Sequence, residues 1–401
     1  MLAKAAAPST RSTFVLFSYG FRPFFLLAGF YAVAPIGTVY WALMTGNWPE
    51  HAIPLFTWHG HEMLFGFVAA AIAGFLLTAV PTWTNTKAVS GLPLIILVAV
   101  WLAGRVVSSP WVPSSSIATG LLGVSFFPAL AFTVAIPLTR TRNFRNLPFI
   151  FLLMILFVAD LAFHARRFGW VGGELVDGLR LTINLALLMI VIVGGRIIPA
   201  FTRNALVALR RDAKIRNHRA LDIASIVSVV SVMLGDLVAA ESQATGYLAA
   251  ICALLLVLRL SGWGGLRTLA IPLLWVLHVG YLWLVIALAL KAFWILGGFG
   301  WAMNWMHAFT AGAFGTMILG VMTRVALGHT GRPLRVPRIV TVSYVLVGVA
   351  ALVRVLGPWF AATHYMTVLA ASTVAWIAAF LIFLVVYVPI LLQPRVDGRP
   401  G

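Results

Sequence analysis

The sequence predicts an all-α, polytopic membrane protein with about twelve transmembrane helices. Hydrophobic residues make up 62% of its 401 residues, whereas charged residues make up only 9%. Apolar runs of about 18 residues or more recur along the whole chain, and each is long enough to cross a hydrocarbon core of roughly 30 Å. The alternating pattern of transmembrane β-strands does not occur. We therefore predict a single transmembrane domain over residues 1–401, with the lipid bilayer as its main partner.

The predicted spans follow one another with short connections, and helices at membrane depth tolerate their dispersed glycines and prolines. In chain order the spans cover residues 21–45, 59–82, 92–108, 116–139, 147–165, 178–202, 218–239, 245–261, 269–297, 301–324, 338–358 and 364–392.

Charged residues in the connections predict the orientation of these spans. Basic residues follow the even-numbered spans, for example Lys87 and the basic segment at 203–219. The connections after odd-numbered spans are poor in basic residues or hold acids such as Glu50, Glu174 and Glu241. Since positive charge stays on the cytoplasmic side, both termini are expected in the cytoplasm.

The net charge of +18 does not point to nucleic acid, because the basic residues lie in these connections and form no patch on a soluble domain. The one cysteine, Cys252, excludes an intramolecular disulfide and any CxxC motif.

A weak internal repeat involves spans 2, 6 and 10. These spans end in "WTN" (83–85), "FTR" (201–203) and "MTR" (322–324), and each of these motifs is preceded by a glycine at a similar distance. Three arcs of four helices would produce this pattern. Chance would also produce it, because Thr and Gly are common in membrane helices.

The stretch "LFTWHGHEMLFGF" (55–67) places ionisable residues at the start of span 2. Intramembrane ionisable residues are costly unless they are paired or bound to a ligand. His59 and His61 point roughly 200° apart on a helix, so they suit two sites that flank the same helix. His59 shares its face with Glu62 and Met63. Imidazole beside thioether suits copper, and imidazole alone suits haem iron. Two interface histidines bonded to water and backbone are the alternative.

Other histidines are expected to complete these sites. His307 lies at a matching depth in span 10, and His278 is expected near the middle of span 9, on one face with Tyr281. The predicted metal ligands are therefore His59, His61, Glu62, Met63, His278 and His307, and the sequence identifies no catalytic residue. Alternatively, Glu62 hydrogen-bonds to a ligand histidine and orients it, or accepts protons.

Basic residues near the opposite end of spans 6 and 10 form a second predicted group. The stretches "GGRIIPAFTRN" (194–204) and "TRVALGHTGR" (323–332) contain Arg196, Arg324, Arg332 and His329. Arginines there suit a carboxylate such as a haem propionate, or a quinone-level oxygen, and we predict all four residues as cofactor-binding. The alternative is that the arginines snorkel toward lipid phosphates.

Five stretches together resemble the NnrS family: "FSYGFRPFF" (17–25), "WHGHEMLFGFVAAAIAGFLLTAVPTWT" (58–84), "GGRIIPAFTRN" (194–204), "PLLWVLHVGYLWL" (272–284) and "HAFTAGAFGTMILGVMTRVALGHTGR" (307–332). The resemblance implies a twelve-helix bacterial inner-membrane protein that contains haem and copper. It also implies a link to nitric oxide metabolism, denitrification and protection against nitrosative stress. The electron donor is not implied.

The chain is more loosely similar to the catalytic subunit of haem-copper oxidases and nitric oxide reductases, which have twelve helices in three arcs. Here the His-x-His motif is in span 2 and not span 10, and no His-His pair occurs, so their copper site cannot be transferred. We therefore expect a protein that binds or converts nitric oxide or its metal adducts, and whether it is an enzyme stays open. A transporter for a metal or small anion is the alternative.

Overall fold

The computed structural model describes residues 15–113, 116–167 and 177–399, and Glu174 of the topology argument lies outside these ranges. The described residues form twelve long or apolar helices, with short 3₁₀ turns between some of them. These are α1 (Phe21–Thr45), α2 (Leu55–Thr84), α3 (Leu92–Val107), α4 (Ile117–Arg140), α5 (Pro148–Arg167), α6 (Gly178–Ala208), α7 (Arg219–Ala239), α8 (Gln243–Ser261), α9 (Pro272–Gly297), α10 (Gly300–His329), α11 (Arg338–Phe360) and α12 (Ala362–Leu392).

The predicted all-α, multi-pass membrane fold is confirmed. Within the described residues, 11 helices are long and apolar enough to cross a membrane. The other, α3, has 16 residues and measures about 24 Å, short of the hydrocarbon thickness. The arrangement in three repeated arcs stays a prediction.

Two helix ends differ from the sequence-based bounds. Helix α2 begins at Leu55, directly after Pro54, so that His59 lies in its second turn. Helix α6 continues to Ala208, so the first third of the predicted basic connection at 203–219 is helical. The added residues of α2 are mainly apolar, whereas those of α6 include Arg203 and Asn204.

The helices form an inner and an outer group. In α2 the most apolar segment is 78% buried, and in α6, α9 and α10 it is 67% buried. The corresponding buried share is 28–44% in α1, α4, α5, α7, α8, α11 and α12. The inner helices therefore contact protein on most of their surface. Polar side chains on them face other helices, where they pair or bind a ligand.

The two ends of the bundle differ in chemistry. At the end where α2 and α10 begin lie His59 and His307, and we call this the histidine end. The opposite end, where α2, α6 and α10 finish, is the basic end. Both termini of the described chain meet at the basic end, because Arg22 Nη1 donates to the carbonyl oxygens of Leu391 (2.7 Å) and Gln393 (2.8 Å).

Helices α2 and α10 each contain a π-helical segment directly after a histidine. These segments are Glu62–Val68, which follows His61, and Ala308–Gly315, which follows His307. Each contains a glycine at a close approach: a Cβ on Gly66 would lie 2.3 Å from the Tyr31 ring, and one on Gly312 would lie 2.6 Å from Trp283. Short π segments inside α-helices occur frequently at functional sites.

Candidate metal centres at the histidine end

The first centre is a groove between α1, α2, α10, α11 and α12, which we call the histidine groove. His59 and His307 both line it, together with Met63 and Arg354, and its cavity has a volume of about 140 Å³. The two imidazoles come from different helices and face the same space. His59 Nδ1 is buried and makes no hydrogen bond to any described residue.

The rest of the groove is largely apolar. Phe67, Phe314 and Trp376 form aromatic walls, and Trp376 is fixed because its indole N–H donates to the carbonyl oxygen of Ala32 at 2.7 Å. Arg354 is half-buried and donates to the Tyr365 hydroxyl at 3.2 Å. The groove therefore offers two imidazoles, one thioether and one guanidinium in apolar surroundings. This set of groups suits a flat apolar cofactor with carboxylate substituents, or a soft metal ion.

The second centre is a buried cluster on another side of α2, which we call the His61 cluster. His61 Nδ1 lies 2.7 Å from Glu62 Oε1, and His61 Nε2 lies 3.1 Å from Asp160 Oδ1. His164 Nε2 is 3.6 Å from the same Asp160 oxygen. One ligand atom from each of His61, Asp160 and His164 lies within 4.8 Å of the others, so the three residues can share one metal ion.

Glu62 fixes the orientation of the His61 ring. Arg105 Nη1 donates to Glu62 Oε1 at 2.8 Å, and the Tyr31 hydroxyl donates to Oε2. A carboxylate held by these donors accepts from His61 Nδ1–H, which leaves Nε2 to face Asp160. A ring nitrogen and a carboxylate oxygen at 3.1 Å are both acceptors, so a proton or a cation must lie between them.

The charges of the His61 cluster lead to the same conclusion. Glu62 and Asp160 carry two negative charges and Arg105 carries one positive charge, and at most 5% of any of these side chains is exposed. One further positive charge neutralises the cluster, and either a proton on His61 or one charge of a bound metal ion would supply it. Helix α4 closes the site, since a Cβ on Gly123 would lie 2.8 Å from His164 Nε2.

The structure separates residues that the sequence had grouped. His59 and Met63 line the histidine groove, whereas Glu62 belongs to the His61 cluster and not to the face of His59. Glu62 therefore does not share a face with His59, and its contact with His61 agrees with the alternative of a carboxylate that orients a ligand histidine. The π-helical segment that begins at Glu62 widens the helical turn there. A role of Glu62 as a metal ligand stays a prediction. Arg105 and Tyr31 hold the carboxylate on that side.

His278 does not lie near the other histidines. Helix α9 begins at Pro272, so His278 is in its second turn, and roughly 28 Å of helix separates it from the histidine end. Its Nδ1 lies 3.1 Å from the carbonyl oxygen of Leu274, and its ring packs beside Gly265. It therefore cannot complete a ligand set with His59 or His61.

The four basic residues predicted to bind a cofactor lie at the basic end without meeting one another. Arg196 donates to Asn146 Oδ1 at 2.8 Å, Arg332 donates to Gln393 Oε1 at 3.0 Å, and Arg324 lies over the Phe201 ring at 3.9 Å. The His329 ring packs 5.7 Å from the rings of Tyr19 and Phe21. None of the four lines the histidine groove, and the arginine that does is Arg354.

Sequence reasoning missed the partners of His61. Asp160 and His164 are four residues apart in span 5, a spacing that places both on one helix face, and an acidic residue within a span is itself a signal. Arg105 is likewise a charged residue within a predicted span, span 3. Their convergence depends on how α2, α3 and α5 pack, which the sequence does not specify.

A buried ion pair between α7 and α9 was also missed. Lys291 pairs with Asp236, Asn184 of α6 donates to the other Asp236 oxygen at 2.9 Å, and the Lys291 ammonium lies 4.7 Å from the centre of the Trp305 ring. At most 3% of either charged side chain is exposed. This cluster connects three helices near the histidine end.

Comparison with known proteins agrees with this architecture. A family model described as NnrS protein matches residues 15–395, nearly the whole chain. No curated protein matches the chain.

Proposed function

The chain belongs to the NnrS family and is a nitric-oxide-related, multi-pass membrane protein, and from this premise we propose that it holds haem and copper at its histidine end. We further propose that it lies in the bacterial inner membrane with both termini in the cytoplasm. The centres would bind or convert nitric oxide or one of its metal adducts. The observation that carries this proposal is that His59 lines the histidine groove, whereas His61 of the same helix belongs to the separate His61 cluster.

The histidine groove fits haem. His59 and His307 would hold the iron, the aromatic walls would contact the porphyrin, and Arg354 would pair with a propionate. The buried, unpartnered Nδ1 of His59 supports this assignment, because an unsatisfied polar atom in an apolar site is costly unless it gains a ligand. When bound, haem would supply redox-active iron, at which a diatomic gas can bind in exchange for one of the two histidines.

The His61 cluster fits copper. His61 and His164 would supply imidazole nitrogens and Asp160 a carboxylate oxygen, a donor set that suits Cu(II). Glu62 would orient His61 from behind, as carboxylates do for histidine ligands in many metal sites. Copper supplies a centre that accepts or donates one electron.

The protein's own groups handle charge around these centres. Tyr31 and Arg105 hold Glu62 as a carboxylate, and among the described residues Asp160 is the only acid that faces both His61 and His164. This network would be neutral with Cu(I) in place of the proton between His61 and Asp160, and would carry one net positive charge with Cu(II). It also excludes water, because all of its side chains except Tyr31 are buried.

The transporter alternative is less well supported. Transporters of small ions commonly bind their substrate where transmembrane helices are broken near the middle of the membrane. Here α2 and α10 contain π-helical segments but continue as helices on both sides of them.

The test is the metal content and visible spectrum of the purified protein and its His→Ala variants. We expect His59→Ala and His307→Ala to lose the haem Soret band and to retain copper. His61→Ala should retain haem and lose copper. His364→Ala removes an exposed histidine at the same end and serves as the matched control. Full haem and full copper in both the His59 and the His61 variants would contradict the proposal.

A further inference from the structure

A second cavity lies beside the histidine groove and has no assigned role. It is formed by α2, α6 and α10 with one residue of α1, and its volume is about 90 Å³. Every lining side chain is apolar, and three of them are methionines: Met189, Met317 and Met322. We call it the apolar cavity.

The apolar cavity adjoins the histidine groove directly. Val68 and Phe314 line both spaces, so these two side chains form the partition between them. Both residues belong to the π-helical segments, Val68 as the last residue of one and Phe314 as the last but one of the other. The π-helical segments that follow His61 and His307 therefore also shape the partition.

The chemistry of the walls limits what the cavity can hold. Water needs two to four polar partners to remain in a cavity, and these walls offer none. A polar or charged substrate is excluded for the same reason. The volume of about 90 Å³ is well above the roughly 10–15 Å³ that a cavity needs in order to hold one water. A small apolar molecule fits, and dry apolar cavities of similar composition bind gases such as xenon.

We propose that the apolar cavity is a holding site for an apolar diatomic gas, from which nitric oxide passes between Val68 and Phe314 into the histidine groove. This inference rests on the proposed function for the identity of the gas. Nitric oxide is uncharged and weakly polar, so it gains by leaving water for apolar surroundings. The cavity would raise the local concentration of gas beside the centre.

Xenon tests the cavity without requiring haem or copper. In crystals of the full-length protein pressurised with xenon, we expect anomalous density between α2, α6 and α10. Val193 lines the cavity from α6, and Val193→Phe should abolish this density by filling the space. Val207→Phe makes the same change at a position of α6 that is 60% exposed, and xenon binding should be retained.

A second variant covers the case in which Val193→Phe does not fold. Ile318→Trp fills the cavity from α10 and should also abolish the xenon density. Absence of xenon from the wild-type cavity, or its persistence in a folded filling variant, would overturn the proposal. Density for a lipid acyl chain in the cavity would overturn it too.

The connection to the groove is tested by carbon monoxide rebinding after photolysis of the haem-loaded protein. We expect a fast rebinding phase from gas retained in the apolar cavity, lost in Val193→Phe and kept in Val207→Phe. The same phase in both variants would disprove the connection. A protein that binds xenon but carries no haem would contradict the proposed function and leave the cavity assignment standing. A protein that carries haem but binds no xenon would contradict the cavity assignment and leave the proposed function standing.

Discussion

Arg105 Nη1 donates to Glu62 Oε1 at 2.8 Å in a site where neither side chain is more than 5% exposed. The pair links α3 to α2 and fixes the carboxylate that orients His61. Helix α3 is the shortest of the twelve and is too short to cross the hydrocarbon core by itself. The Arg105–Glu62 ion pair therefore gives this helix a structural role.

Removal of Arg105 should therefore destabilise the protein. Arg105→Leu leaves the Glu62 carboxylate buried without its cation, and breaking a buried pair in this way costs about 3–5 kcal/mol. We expect a clear fall in the thermal unfolding temperature of the detergent-solubilised protein. The double variant Arg105→Leu/Glu62→Gln removes the stranded charge and should recover much of that loss. Equal stability of the two variants would show that the ion pair is not the cause.

Asp160 should be required for copper and not for haem. Asp160→Asn keeps the shape of the side chain but replaces an anionic oxygen donor. The affinity of the protein for copper should therefore fall at least tenfold. Asp212→Asn changes an exposed aspartate outside the membrane helices and should leave both metals unchanged. Titration with copper followed by metal analysis provides the measurement. A variant that binds copper as tightly as the wild type would remove Asp160 from the ligand set.

Arg354 should matter for haem retention, whereas Arg324 should not. Arg354 lines the histidine groove, but Arg324 lies over Phe201 at the opposite end of the bundle. We expect Arg354→Leu to lose haem during purification and Arg324→Leu to retain it. The ratio of Soret to protein absorbance measures this directly. Loss of haem in Arg324→Leu alone would place the cofactor at the basic end.

The Lys291–Asp236 pair should be replaceable as a unit. Lys291→Met alone leaves Asp236 as an uncompensated buried charge and should cost about 3–5 kcal/mol. The double variant Lys291→Met/Asp236→Leu should be close to the wild type in stability, since apolar replacements of buried pairs are often neutral. The thermal unfolding temperatures of the wild type, the single variant and the double variant measure these differences in stability. A double variant that is as unstable as the single one would indicate that the charges do more than join α7 to α9.

Reporter fusions should reveal the orientation of the chain in the membrane. Fusions within 140–146 and 209–218 should report the cytoplasm, and fusions within 108–113 and 240–242 should report the outer side, because the basic connections stay inside. Fusions of matched length at each site control for expression. The reversed pattern would place both metal centres on the cytoplasmic side.

Much of the fold was predictable because the bilayer imposes a simple requirement on the sequence. A segment must be apolar and about 20 residues long to cross it, and its backbone must be helical. The segment at 92–108 met the compositional criterion, and the helix there has 16 residues and ends at Val107. Helix ends near the interface, such as that of α6, were harder to place, since polar residues continue a helix there without penalty.

The candidate site was predictable only in part. The opposing directions of His59 and His61 follow from helix geometry within one segment, and the sequence contains that information. The joining of His61 with Asp160 and His164, and of His59 with His307, depends on which helices are neighbours. Apolar helices in a bilayer have no strong sequence signal for their partners, because lipid and protein are nearly equally apolar.

The sequence by itself therefore determined that this is an all-α membrane protein of the NnrS family, with its ionisable residues concentrated on a few helices. Only the tertiary structure decided that Glu62 serves His61 rather than His59, that His278 lies at the other end of the bundle, and that Arg354 faces the histidine groove. The physical reason is that composition and periodicity act along one helix. The position of a side chain relative to another helix is set by close packing at glycines such as Gly66 and by the widened turn of a π-helical segment.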